Sequence, residues 1–121
     1  MKKDLKTEIQ KLINIYKFGD FNSVLKKCSS LLNDYPKNDF LWNLSGLSFQ
    51  QIGDHKNAIT SFQNALNSNQ NNYSAKNNLA ISYKKILDYP KAINLLTELI
   101  KKFPKYVNAF TNLANIQNET Y

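Results

Sequence analysis

The sequence predicts an all-α fold in which about seven helices stack as hairpins into a solenoid. Three observations carry that expectation. The chain of 121 residues resembles itself at a shift of 34, the mark of a repeat architecture. Within each unit, apolar residues recur at steps of three and four, the period of one face of an α-helix. With only three glycines and three prolines, the composition argues against a turn-rich β-sandwich and against collagen-like or linker-like chains. Hydrophobic residues make up 42%, enough to bury the core of one domain.

The shift of 34 overlays Asp20, Asp54 and Asp88, and Gly19 with Gly53. It overlays Phe21, His55 and Tyr89, then Val24, Ala58 and Ala92, then Cys28, Phe62 and Leu96, then Leu31, Ala65 and Leu99. Earlier in each unit Ile15, Phe49 and Tyr83 share a column, as do Leu12, Gly46, Ala80 and Ala114.

Each element follows from this register. A first helix over 5–18 carries Leu12 and Ile15 and stops at Gly19-Asp20, where glycine ends one helix and aspartate caps the next. The second, 21–34, bears Val24, Cys28 and Leu31 and is ended by Pro36. The third, 39–52, presents Leu41, Trp42, Leu44, Phe49 and Ile52 before Gly53-Asp54 repeats the punctuation. The fourth, 55–68, carries Ala58, Ile59, Phe62, Ala65 and Leu66, and the fifth, 73–86, Leu79, Ala80 and Tyr83. The sixth, 89–102, opens at Asp88-Tyr89-Pro90, with proline in the first turn where its missing N–H costs nothing, and Pro104 closes it. The seventh, 107–119, holds Phe110, Leu113 and Ala114 as the stripe expected to pack on the preceding hairpin. Small residues (Gly46, Ala58, Ala80, Ala92) let helix axes approach, and large ones (Trp42, Phe49, Phe62, Tyr83) fill the gaps, so Trp42 and Phe62 are expected in the core. One hairpin cannot bury both faces, so neighbours must stack.

Trp42, Gly46, Phe49, Ala58, Phe62 and Ala65 in the second unit, and Leu79, Ala80, Tyr83, Ala92 and Pro104 in the third, resemble the tetratricopeptide repeat, W-x2-L-G-x2-Y followed by A, F, A and P. Ser45 stands where that pattern has leucine, Lys76 replaces its tryptophan, and the first unit is degenerate at Glu8 and Lys11. The resemblance implies a right-handed solenoid of antiparallel hairpins: one domain over 1–121, with repeats about 5–38, 39–72 and 73–106 and a terminal helix 107–119. Such arrays often form the N-terminal part of a longer protein.

No catalytic constellation is legible. His55 follows the Asp54 cap and reads as a packing histidine, and Cys28 shares a core column and reads as an inert thiol. One cysteine excludes an internal disulfide framework and a cysteine-based zinc site, and no glycine-rich phosphate cradle occurs. The expectation is a non-enzyme without metal or cofactor.

That leaves surfaces. In tetratricopeptide arrays the first helix of each hairpin lines a concave groove. By the repeat register this groove draws Lys6, Ile9, Ile13, Tyr16 and Lys17 from the first unit. Phe40, Asn43, Leu47, Gln50 and Gln51 come from the second, then Ser74, Asn77, Asn78, Ile81, Lys84 and Lys85 from the third. The last helix gives Asn108, Thr111, Asn112 and Asn115, with Glu119 the acid at the rim. Apolar patches among amides and lysines suit a peptide or protein segment with acidic residues, centred on Phe40, Leu47, Ile81, Lys84 and Lys85. Two specialisations of the family bear on this groove. A carboxylate clamp would need a lysine–asparagine–asparagine–lysine–arginine set where the first three units have Ile9, Ile13, Leu44, Ser74 and Asn78. One unit along, the same positions hold Asn43, Leu47, Asn78, Asn108 and Asn112, so the clamp is absent. An asparagine ladder that grips peptide backbone is suggested by Asn78 and Asn112, each in an Asn-Leu-Ala triplet, with Leu44 breaking the series.

The net charge of +7 comes from lysine alone, without arginine. It divides as +3 over residues 1–17 (five Lys against Asp4 and Glu8), −1 over 38–75 and +5 over 76–105. Positive charge towards both ends, not in one stripe, makes an RNA-binding helical repeat the second choice. No apolar run approaches the ~20 residues of a membrane span and no signal peptide is legible, so a cytoplasmic address is expected. Self-association is a third reading. Ile116 is expected to face the side where a following helix would dock, leaving the C-terminal helix as an edge for weak homodimerisation.

Overall fold

A computed structural model describes residues 4–120. Lys2, Lys3 and the ends of the expected 1–121 domain lie outside the described residues. Those residues form seven helices: α1 Leu5–Phe18, α2 Phe21–Asp34, α3 Asp39–Gln51, α4 His55–Ser68, α5 Tyr73–Lys85, α6 Tyr89–Lys102 and α7 Val107–Thr120.

The aspartate column does two jobs at each turn within a hairpin. The backbone N–H groups of Asp20, Asp54 and Asp88 donate back to the carbonyls of Ile15, Phe49 and Tyr83 at 3.3, 2.9 and 2.8 Å, closing the preceding helix in a Schellman turn. Their carboxylates then accept from the backbone N–H of Ser23, Asn57 and Lys91, capping the next helix. The turn requires a left-handed residue just before the aspartate. Gly19 and Gly53 supply it at φ 85° and 81°, and the third unit forces Leu87 into it at φ 67°. Asn38 and Asn72 cap α3 and α5 by accepting from Leu41 and Ala75 N–H.

Successive helices pack as neighbours, and α3 also touches α5 as α5 touches α7. No contact of that extent joins α2 to α4 or α4 to α6. Helices α3, α5 and α7 therefore form the tighter, inner layer of the stack.

Volumes are matched across each hairpin. The fully buried pairs Leu12 with Cys28, Gly46 with Phe62 and Ala80 with Leu96 each sum a larger and a smaller side chain at one register. At Gly46 the match leaves no slack, because a Cβ there would clash with the edge of the Phe62 ring.

Two expectations are corrected. Phe62 is buried, but Trp42 is only half-buried, bridging the two core clusters from the edge. Its indole N–H donates to the Pro36 carbonyl at 2.8 Å, which keeps one edge of the ring at the surface. On α7 the buried stripe is Ala109 and Ile116, with Leu113 half-buried, while Phe110 and Ala114 are exposed. Ile116 therefore faces inward at 1% exposure and is not a sticky edge. Ala109 and Ile116 occupy the columns of Ala75 and Ser82, both buried in α5. Phe110 and Ala114 occupy positions that, in a complete unit, face that unit's own second helix.

Candidate functional site

The inner layer gathers the expected groove residues on α3, α5 and α7. Phe40 stands 40% exposed at the start of α3. Leu47, Gln50, Asn78, Ile81, Lys84 and Asn112 are half-buried, and Lys85, Asn108 and Asn115 are exposed. Asn43 and Asn77 are buried, because their amides face the next helix of the layer.

Those amides form two equivalent pairs. Asn78 Nδ2 donates to Asn43 Oδ1 at 3.2 Å, and Asn112 Nδ2 donates to Asn77 Oδ1 at 2.9 Å. Gln50 Nε2 adds a cross-link from α3 to α5, donating to the Asn78 carbonyl and to Ser82 Oγ at 2.8 Å each. The asparagines expected as a ladder for a ligand thus first tie the inner helices to one another. Each of Asn78 and Asn112 spends one N–H in this way, which leaves its second N–H and its Oδ1 for another partner.

The lysines divide as well. Lys84 Nζ lies 2.9 Å from a carboxylate oxygen of Glu119, which also accepts from the Tyr89 hydroxyl at 3.4 Å. Lys85 is exposed and forms no ion pair among the described residues. The repeat register located Glu119 at the rim but gave no sign of its pairing, since the partners come from three helices. In the first unit Lys6 and Lys17 are exposed, whereas the Tyr16 ring is turned edge-on against Phe21 at 5.2 Å.

Away from this face, burial pushes the Cys28 thiol above the ordinary thiol range, partly offset by a hydrogen bond with Ser45. His55 is half-buried at the start of α4, its Nδ1 without a partner. Among the described residues no group of three His, Cys, Asp or Glu side chains could hold a metal ion, and no helix is long and apolar enough to cross a membrane.

A family model for the tetratricopeptide repeat matches residues 78–106. The whole stack superposes on solved domains of the same repeat. The second such domain of human RPAP3, solved with the HSP70 peptide SGPTIEEVD, matches at TM-score 0.86 and 14% identity, over 91% of this chain and 92% of that one. This chain has the fold of a tetratricopeptide-repeat array. The first such domain of Spaghetti (RPAP3), bound to the HSP90 peptide SRMEEVD, matches the array at TM-score 0.88 and 13% identity, over 97% and 95% of the two chains. The Arabidopsis OM64 domain matches at 0.88 and 12%, over 94% of each. In sequence, an N-terminal acetyltransferase A complex subunit-like protein of Schizosaccharomyces pombe is 32% identical over 62 residues. That alignment takes in 51% of this chain and 9% of the relative.

Proposed function

We propose that the array is a non-catalytic interaction scaffold whose inner face, on α3, α5 and α7, binds a peptide or protein segment bearing acidic residues. The observation that carries the reading is incompletely covered apolar side chains on the inner helices together with a cation that has no ion pair among the described residues. Phe40, Leu47 and Ile81 are incompletely covered, and Lys85 has no acidic partner. The spare amide groups of Asn78 and Asn112 are suited to a ligand's backbone.

Two of the three solved domains named above hold acidic peptides, which supports the ligand class and not the ligand. The clamp positions here carry no cation, so a chaperone C-terminal tail is not the proposed partner. Glu119 occupies Lys84 in the free chain. Both members of that pair keep some solvent contact, at 20% and 46% side-chain exposure, so it is worth less than about 1 kcal/mol. A ligand carboxylate can displace Glu119 at small cost.

The test is selection from a random peptide library. The expected winners combine Asp or Glu with bulky apolar residues. Lys85→Glu should weaken them about tenfold, and Glu119→Gln should tighten them by up to about fivefold. Indifference to both changes would move the site off this face. Tight RNA binding that falls steeply with salt would favour a nucleic-acid function instead.

A further inference from the structure

On the opposite layer, a cavity of ≈ 400 Å³ opens between α2, α3 and α4. Its apolar walls are Leu25, Leu32, Trp42 and Phe49, its polar lining includes Ser45 and Ser61, and no charged residue lines it. The repeat register explains why it exists. Ser45 and Ser61 stand where the third unit has Leu79 and Leu95, side chains that fill the equivalent space one repeat along. Two leucines reduced to serines leave a hole that stays open among the described residues.

The two serines differ. Ser45 Oγ donates to the Leu41 carbonyl at 2.9 Å, the usual refuge of a helical hydroxyl. Ser61 is 4% exposed yet makes no hydrogen bond with the described residues. Its Oγ is not sealed from solvent and Ser61 lines the cavity, so a polar group bound there can reach the hydroxyl. Volume, aromatic walls and one unspent hydroxyl are the features of a small-molecule pocket.

The geometry points to a binding site for a small, neutral aromatic molecule with a single hydrogen-bonding group. The ring lies against Trp42 and Phe49, and its polar group meets Ser61. Absence of charge from the lining disfavours an ionised ligand, which would surrender its hydration for nothing.

Trp42 is the only tryptophan, but its ring also borders a second hollow with Pro36, Lys37 and Asn64. A shift of its indole N–H resonance therefore assigns binding here only when the amide of Ser61, which lines this cavity and not that one, shifts with it. With p-cresol as the probe, that resonance should shift saturably, with a Kd of about 1 mM for so small a ligand. Toluene, lacking the hydroxyl, should bind about fivefold more weakly or worse, and 4-methylbenzoate should not bind. Ser61→Ala should reduce p-cresol to the affinity of toluene. Ser45→Leu, which restores the residue type of the third unit, should weaken p-cresol by at least about tenfold with no loss of thermal stability. If that variant loses helicity, Ser61→Leu serves in its place, since Leu95 already occupies that register. Lys85→Glu, on the inner face, should leave p-cresol binding unchanged, which separates this site from the peptide groove. An unmoved Trp42 resonance, equal binding of 4-methylbenzoate, or undiminished binding after the cavity is filled would overturn the proposal.

Discussion

Gly46→Ala tests the internal packing of the array at its tightest point. The added methyl would clash with the ring edge of Phe62, which is 0% exposed. Overpacking of a core costs about 1–3 kcal/mol and sometimes more, and a clash with three atoms of a buried ring belongs at the upper end. Alanine returns about 1 kcal/mol through helix propensity, leaving a net loss of about 2–3 kcal/mol. For a chain of this size that lowers Tm by roughly 10 °C, a drop readily measured by thermal and urea unfolding followed by circular dichroism. The third unit supplies the rescue, because Ala80 and Leu96 hold the same register with an alanine. Phe62→Leu combined with Gly46→Ala should recover about 2 kcal/mol relative to the sum of the single changes. Wild-type Tm for Gly46→Ala, or strict additivity in the double variant, would refute the volume-matching argument.

Three further outcomes follow from particular residues. Leu87→Gly removes a left-handed leucine whose strain exceeds the entropy glycine loses, so the urea midpoint should rise by the equivalent of about 0.5–1 kcal/mol; a fall would mean that Leu87 makes contacts worth more than its strain. Replacing Ile116 with Lys pushes an ammonium into the contact of α7 with α5 and α6, at about 3 kcal/mol or more, and amide exchange should quicken throughout α7; unchanged protection would contradict its inward placement. For Cys28 the folded pKa lies above the unfolded one, so its contribution is fully present below the ordinary thiol range and is lost as pH rises through it, when the unfolded chain ionises first. Wild-type stability should therefore decline more steeply with alkaline pH than that of Cys28→Ala, and parallel curves would exclude the linkage.

The helices and turns were legible because the strongest repeated signal, Gly-Asp at 19–20 and 53–54, is also the physical boundary: one residue turns left-handed and the next caps. What escaped was geometry between repeats. Sequence identity recurs at 34, but the paired asparagines of adjacent inner helices are 35 apart. Asn43 therefore meets Asn78 and not its own column mate, Asn77. The same blindness misplaced the stripe of α7. Its columns were read from units whose second helix is among the described residues, and on α7 it is Ala109 and Ile116 that pack on the preceding hairpin. Trp42 was assigned to the core by residue type, and its bond to the Pro36 carbonyl could not be seen in the spacing. Ser45 was legible as a departure from the family pattern, and the cavity is the physical result of it.

The claim that the inner face is the peptide-binding surface is tested most directly by chemical-shift mapping. A library-selected acidic peptide should be titrated into the isotopically labelled chain. Shifts should concentrate on Phe40, Leu47, Ile81, Lys85, Asn108 and Asn115, with little change along α2, α4 and α6 beyond neighbouring turns. Shifts concentrated on the even helices, or spread evenly over the whole array, would contradict it.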